Sequence, residues 1–157
     1  KQRSILIAAC TVLLFAGYIG CKYYLQGEAK QFIKSKVDAN IYNVYPLPND
    51  LMRWSYITKS GNEITIGMLD LFTKRVCAFE KHVINEHDHL IVESKKNRVV
   101  QNFLYFAKYP YAEVRHEQNK TVVIWRELAY SFMAGDKFTL RASVDKNGKI
   151  TEANFKF

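Results

Sequence analysis

Phe138-Thr139-Leu140-Arg141-Ala142-Ser143-Val144-Asp145-Lys146-Asn147-Gly148 sets apolar Phe138, Leu140, Ala142 and Val144 against polar Thr139, Arg141, Ser143 and Asp145, then reaches an Asn-Gly pair. A period of two predicts a strand with one buried and one wet face, and Asn-Gly predicts the two-residue reversal of an antiparallel hairpin. Ala153, Phe155 and Phe157 continue the apolar face on the return strand. Upstream, the same texture predicts a hairpin from Trp54 through Ser60-Gly61-Asn62 to Ile64, Ile66 and Met68, and a pair at Ala112–Glu117 and Thr121–Arg126. Two further strands are expected at Arg75–Phe79 and Leu90–Glu93. Between Leu90–Glu93 and Ala112–Glu117, the segment Asn97–Ala107 carries Val99, Val100, Phe103, Leu104 and Ala107 at helical spacing until Tyr109-Pro110, which predicts one amphipathic helix over the sheet.

The N-terminal texture differs. Ile5 to Cys21 is 17 residues without a charge, bounded by Lys1 and Arg3 on one side and by Lys22, Tyr23 and Tyr24 on the other. A spanning helix takes roughly 20 apolar residues and tyrosines settle at the interface, so the segment is read as a transmembrane helix. A secretory signal has a similar layout. Leu25, Ala29, Phe32, Ile33 and Val37 then form one apolar stripe, which continues the helix, while Lys30, Lys34 and Lys36 lie off it. These lysines suit anionic lipid or a solvated face. Cations flank both ends of the segment, so the membrane side of the soluble part stays open.

Pro46, Pro48 and Asn49 are expected to form an extended linker leading into the soluble part. The predicted organisation is thus residues 1–39, a transmembrane helix with an amphipathic juxtamembrane extension, and residues 40–157, a soluble domain. The fold class is α+β: an N-terminal transmembrane helix followed by a mainly antiparallel β-sheet domain with one packed amphipathic helix. The domain's 118 residues suffice for a hydrophobic core.

Charge and chemistry narrow the function. The net charge is +8, from 23 basic and 15 acidic residues, and +6 remains from Lys22 onward. The cations are dispersed rather than clustered with stacking aromatics, so nucleic acid is not the expected partner; a lipid bilayer accounts for the same charge. His82, His87 and His89, with Glu86 and Asp88, invite a metal hypothesis, but their spacing matches no zinc signature and the segment reads as a polar loop. Cys77 stands between Val76 and Ala78 in a predicted strand and is expected to be a buried structural thiol. No glycine-rich phosphate loop, nucleophile elbow or paired-carboxylate motif is present, so catalysis has no anchor in these residues. Tyr18-Ile19-Gly20-Cys21 partly resembles the lipobox of bacterial lipoproteins, which makes Cys21 a candidate lipidation site, with Tyr18 departing from the usual aliphatic residue.

The order of features also resembles the C-terminal region of the bacterial inner-membrane metal-dependent hydrolase family, the LexA-binding, inner-membrane-associated hydrolases. The residues are Pro46-Leu47-Pro48-Asn49 with Trp54, then Phe103-Leu104-Tyr105-Phe106-Ala107-Lys108-Tyr109-Pro110, Arg126-Glu127-Leu128-Ala129-Tyr130 and Asp145-Lys146-Asn147-Gly148. Ala129 stands where a basic residue is usual, and Glu127 where Asp is. The resemblance implies a bacterial inner-membrane location and an accessory or regulatory domain. The catalytic His and Asp residues, and the divalent metal they hold, would belong to a region upstream of residue 1. The chain opens without Met, in keeping with such a region. No cofactor is expected in the chain itself. Partners would be the membrane part of its own polypeptide or another membrane protein. On this view Trp54, Phe103, Phe106, Tyr109, Glu127 and Tyr130 are framework residues of the appended domain; the functional alternative is a small binding groove lined by Tyr109, Arg126, Glu127 and Tyr130. The alternative is a freestanding single-pass or lipid-anchored binding module without enzymatic activity.

Overall fold

The computed structural model describes residues 2–117, 120–131, 138–145 and 148–156, with Ile41, Tyr42 and Lys156 described by backbone alone. It has the α+β class, a long apolar helix followed by antiparallel sheets and short helices. The elements are α1 (Gln2–Lys36), β1 (Ile41–Pro46), β2 (Arg53–Ser60), β3 (Glu63–Asp70), β4 (Arg75–Val83), α2 (His89–Ser94), α3 (Arg98–Phe106), β5 (Pro110–Glu117), β6 (Lys120–Glu127), a 3-10 turn (Leu128–Tyr130), β7 (Thr139–Val144) and β8 (Ile150–Lys156). One four-stranded sheet has the order β1-β2-β3-β4 and the other β5-β6-β7-β8. The chain divides into two compact units: one holds the chain up to Ser60 with Gly67–Phe79, and the other holds Gly61–Ile66 with the chain from Glu80 onward.

In the first unit α1 runs unbroken from the apolar segment into the core. Its early apolar residues, Ile5, Leu6, Ile7, Val12, Leu13, Leu14 and Phe15, are all exposed, and by length and composition the helix can cross a membrane. Two turns past Cys21 the stripe goes inward. Ala29 and Ile33 are buried with Val44, Trp54, Tyr56, Leu69 and Leu71, and Leu25, Phe32, Val37 and Val76 pack around them. The same helix therefore has an unpartnered half and a half that is part of a core.

The Pro46–Asn49 stretch is not the linker predicted from its prolines. β1 comes before it and pairs antiparallel with β2, Val44 opposite Tyr56 and Pro46 opposite Trp54. Pro46 is tolerated because it ends an edge strand, where its missing N–H breaks no inner ladder. Pro48 and Asn49 belong to the β1–β2 loop, where Asn49 adopts φ 57°, a left-handed conformation Asn accepts more readily than most residues.

Asp50 organises that loop. Its carboxylate accepts from the backbone N–H groups of Met52 and Arg53, both at 2.9 Å, and pairs with Arg53 Nε at 2.5 Å. Hydrogen bonds from the Arg53 backbone and side chain draw the carboxyl down from its usual 3.8 to about 2. A value below that of the unfolded chain means the order Asp50 brings is complete above pH 3.8 and is lost as pH falls through about 2. The Met52 and Arg53 amide resonances should thus hold steady down to pH 3.8 and titrate below it; a midpoint at 3.8 would contradict the arrangement.

In the second unit α2 and α3 cover one face of the β5–β8 sheet. Ile91, Val100 and Phe103 meet Ala112, Val123, Trp125, Leu140, Ala142 and Val144. Trp125 donates its indole N–H to Ser94 Oγ at 3.0 Å, and Ser94 donates to the Ile91 carbonyl at 2.7 Å, so the two buried polar groups satisfy each other. α3 starts at Asn97, whose side chain accepts from Val99 N–H at 2.9 Å.

Three local expectations need correction. Leu90–Glu93 is helix, not strand: Asp88 Oδ1 accepts from the Leu90 and Ile91 N–H groups at 2.8 and 3.3 Å, and this cap outweighs the β-branched pair Ile91-Val92. The last hairpin closes over a longer connection than a two-residue turn. Asp145 N–H donates to the Lys149 carbonyl at 2.9 Å, and the Asp145 carboxylate accepts from Lys149 N–H at 2.8 Å. Gly148 takes φ 79°, and an irregularity at Ser143/Val144 offsets the register. Asn147 and Phe157 lie outside the described residues. Cys77, finally, is exposed. β4 is an edge strand, and its period turns Val76 toward the core and Cys77 away.

Candidate functional site

An apolar groove lies in the second unit, between α3 and the far end of the β6–β7–β8 surface. Its volume is about 540 Å³. Val99, Asn102, Phe103, Phe106 and Ala107 form the helical wall; Glu127 and Tyr130 close one end, and Phe138, Leu140 and Phe155 form the floor. α3 builds its wall because residues three and four apart share a face, and β7 and β8 build the floor because Leu140 opposes Phe155 in the register.

Aromatic pairs shape it. Phe103 and Phe155 meet with ring centroids 5.7 Å apart at 55°, and Tyr130 stacks on Phe138 at 4.3 Å and 23°. Phe138 has φ 53°, a left-handed conformation that is strained for an aromatic residue. Phe106, 83% exposed, stands at the rim with Tyr105 edge-on at 5.2 Å.

Among the described residues the one carboxylate in the wall, that of Glu127, is already engaged. Glu127 is 7% exposed and accepts from the backbone N–H groups of Lys108, Tyr109 and Ala129, the last at 2.9 Å. It therefore joins the α3–β5 connection to the 3-10 turn. The chain closes the same corner with Leu128 N–H to the Tyr109 carbonyl at 3.1 Å. Chemically the groove suits an apolar group. The Glu127 carboxylate serves backbone donors instead of pointing at a ligand.

The four residues of the predicted groove do not all come together, and strand parity parts Arg126 from Glu127. Glu127 and Tyr130 line the groove. Tyr109 is buried, and its contribution to this corner is its peptide N–H, held by Glu127. Arg126 points to the opposite face of β6, where it pairs with Glu113 at 3.3 Å, and Arg115 joins the same carboxylate at 2.6 Å. The phenylalanines of the floor were legible only as an apolar face of a hairpin; nothing in their spacing marks a groove.

The histidines have separate partners. His82 contacts Glu80 at 3.0 Å and tilts against the Tyr111 ring at 4.5 Å. Burial and Glu113 push the Tyr111 phenol up from its usual value. His89 lies beside Gly148, and His87 sits in the turn before α2. Among the described residues no three His, Cys, Asp or Glu side chains converge to hold a metal ion. Cys21 is exposed on α1.

No curated protein and no solved structure matches the chain. A family model does, that of the YfhP C-terminal alpha/beta plait domain, over residues 89–156. This corrects the resemblance drawn from the sequence: the family matched is not the inner-membrane metal-dependent hydrolases. Phe103–Pro110, Arg126–Tyr130 and Asp145–Gly148, which carried that resemblance, all fall inside the matched span. They are aromatic, capping and turn positions, and such positions recur wherever a helix packs on an antiparallel sheet. From α2 to β8, groove included, the chain is similar to the YfhP C-terminal alpha/beta plait domain.

Proposed function

We propose that the chain is a membrane-anchored binding module, in which α1 spans the bilayer and the folded units work close to its surface. One observation carries this reading. α1 leaves its apolar segment wholly exposed, yet a few turns later buries Ala29 and Ile33 in the core of the first unit without interruption. An exposed face of this length is costly in water and favourable in lipid. The anchor is thereby built into the first unit instead of being joined to it by a flexible linker. The basic excess beyond Lys22 suits an anionic surface. The apolar groove with its aromatic rim supplies the binding part, and its partner would be another protein of the same membrane.

Alkaline extraction of membranes tests the reading. The full chain should remain in the membrane pellet, and a chain beginning at Lys22 should be released to the supernatant. Release of the full chain would contradict the anchor.

A further inference from the structure

We propose that the β1–β2 loop, residues 47–52, is a second lipid contact, held at the depth where α1 leaves the bilayer so that Leu51 and Met52 enter the headgroup boundary. The proposal rests on α1 crossing the membrane. It adds a surface that the helix alone does not provide.

Depth is set by Lys22, the first charged residue after the apolar segment. A lysine at a helix exit keeps its ammonium among the headgroups. Here Lys22 Nζ donates to the Asp50 carbonyl at 2.7 Å and to the Leu47 carbonyl at 3.4 Å, and stands 5.5 Å from the Trp54 ring centroid. The loop backbone therefore shares the depth of that ammonium. Tyr23 and Tyr24 on the same turn are exposed, as residues of an interfacial belt are.

Next to these carbonyls, Leu51 and Met52 are 37% and 41% exposed. The Met52 carbonyl accepts from Leu71 N–H at 3.0 Å, which brings the β3–β4 turn against the loop, with Phe72 80% exposed. Three large apolar side chains thus meet solvent around one loop and one turn. Arg53 and Arg75 are exposed beside them, and both neighbouring carboxylates are committed: Asp50 to Arg53 and backbone donors, and Asp70 to the Phe72 and Thr73 N–H groups at 2.8 and 3.0 Å. Cations around exposed apolar residues match an anionic lipid surface. The Asp50 hydrogen bonds also fix the loop beforehand, which lowers the entropy cost of contact.

The other end of the unit provides an internal control. α1 rises about 21 Å from Lys22 to Lys36, and β2 runs about 23 Å from Arg53 to Ser60. Asn40 N–H donates to the Lys59 carbonyl at 3.0 Å, so Ser60 lies at the end away from the loop.

The test uses the full chain with Cys10, Cys21 and Cys77 replaced by Ser. Single cysteines carrying an environment-sensitive fluorophore are placed by Met52→Cys, Leu51→Cys, Ser60→Cys or Leu13→Cys. Each labelled protein is reconstituted in phosphatidylcholine vesicles containing phosphatidylglycerol, and quenching by lipids brominated on the acyl chain is read. Labels at 51 and 52 should be quenched several-fold more than the label at 60, and be blue-shifted beside it. If position 13 is quenched while 51 and 52 behave as 60, the loop proposal falls and the anchor stands. If position 13 is also unquenched, both fall. Labels at 51 and 52 that are shielded only after native membrane proteins are added would assign the patch to a protein and overturn the proposal.

Discussion

Replacing Glu127 by Ala should cost about 3–5 kcal/mol of the second unit's stability, because truncation leaves three backbone donors without their acceptor. The donors are the N–H groups of Lys108, Tyr109 and Ala129, and Tyr109 is buried. Backbone donors cannot rotate away, and each buried one that loses a charged acceptor costs about 1–3 kcal/mol. The cost falls in the lower part of the summed range because water can reach the partly buried Lys108 and Ala129. Glu127→Gln should cost less, since its carbonyl oxygen still accepts while its amide N–H faces the remaining donors. Urea unfolding in mild detergent, followed by Trp fluorescence, measures both variants. A Glu127→Ala cost below about 1 kcal/mol would remove the carboxylate from its role as the tie between the α3–β5 connection and the 3-10 turn. The same tie positions Ala107 and Tyr130, so amide shifts in the Glu127→Gln protein should concentrate around the groove.

Gly67→Ala is the second large effect, and here the cause is space. A Cβ at this position in β3 would lie 2.1 Å from the Cys77 carbonyl oxygen and 2.6 Å from two atoms of the Tyr56 ring. Overpacking a core costs about 1–3 kcal/mol, and more when the obstructing atom cannot turn aside. The nearest atom here is backbone, so the expected loss is about 3 kcal/mol or more. Gly27 in α1 supplies the contrast. Nothing lies within 4 Å of its would-be Cβ, and Ala is the better helix former by up to about 1 kcal/mol, so Gly27→Ala should be neutral or stabilising. Equal effects from the two substitutions would contradict the packing described at Gly67.

What the sequence revealed and what it hid follow from the range of the forces involved. Period-two alternation is written locally, and β2, β3, β5, β6 and β7 fall where it predicts. The stripe from Leu25 to Val37 is likewise local, and Ala29 and Ile33 are its buried centre. Leu90–Glu93 misleads because its apolar, β-branched run fits a strand and a short helix equally, and the deciding hydrogen bonds come from Asp88. At Cys77 the alternation is right but its phase depends on which side of β4 has a partner. The candidate groove was legible in part: Glu127 and Tyr130 reach it, while Arg126, one residue from Glu127, is sent to the other face by the pleat. Phe138, Leu140 and Phe155 enter the groove through cross-strand register and the position of α3, which no single stretch encodes. The tie of Lys22 to Asp50, 28 positions along the chain, is of the same kind.

Hydrogen exchange of the full chain in lipid vesicles tests the membrane-anchored reading most directly. An unpartnered apolar helix in water opens readily and exchanges its amides, whereas within the hydrocarbon there is no water to exchange with. The account predicts that amides from Leu6 to Gly20 stay protected for hours and that protection continues without a break through Ala29 and Ile33. Rapid exchange of Leu6–Gly20 beside a protected Ala29–Ile33 turn would show that the helix is held by the first unit alone and does not enter the bilayer.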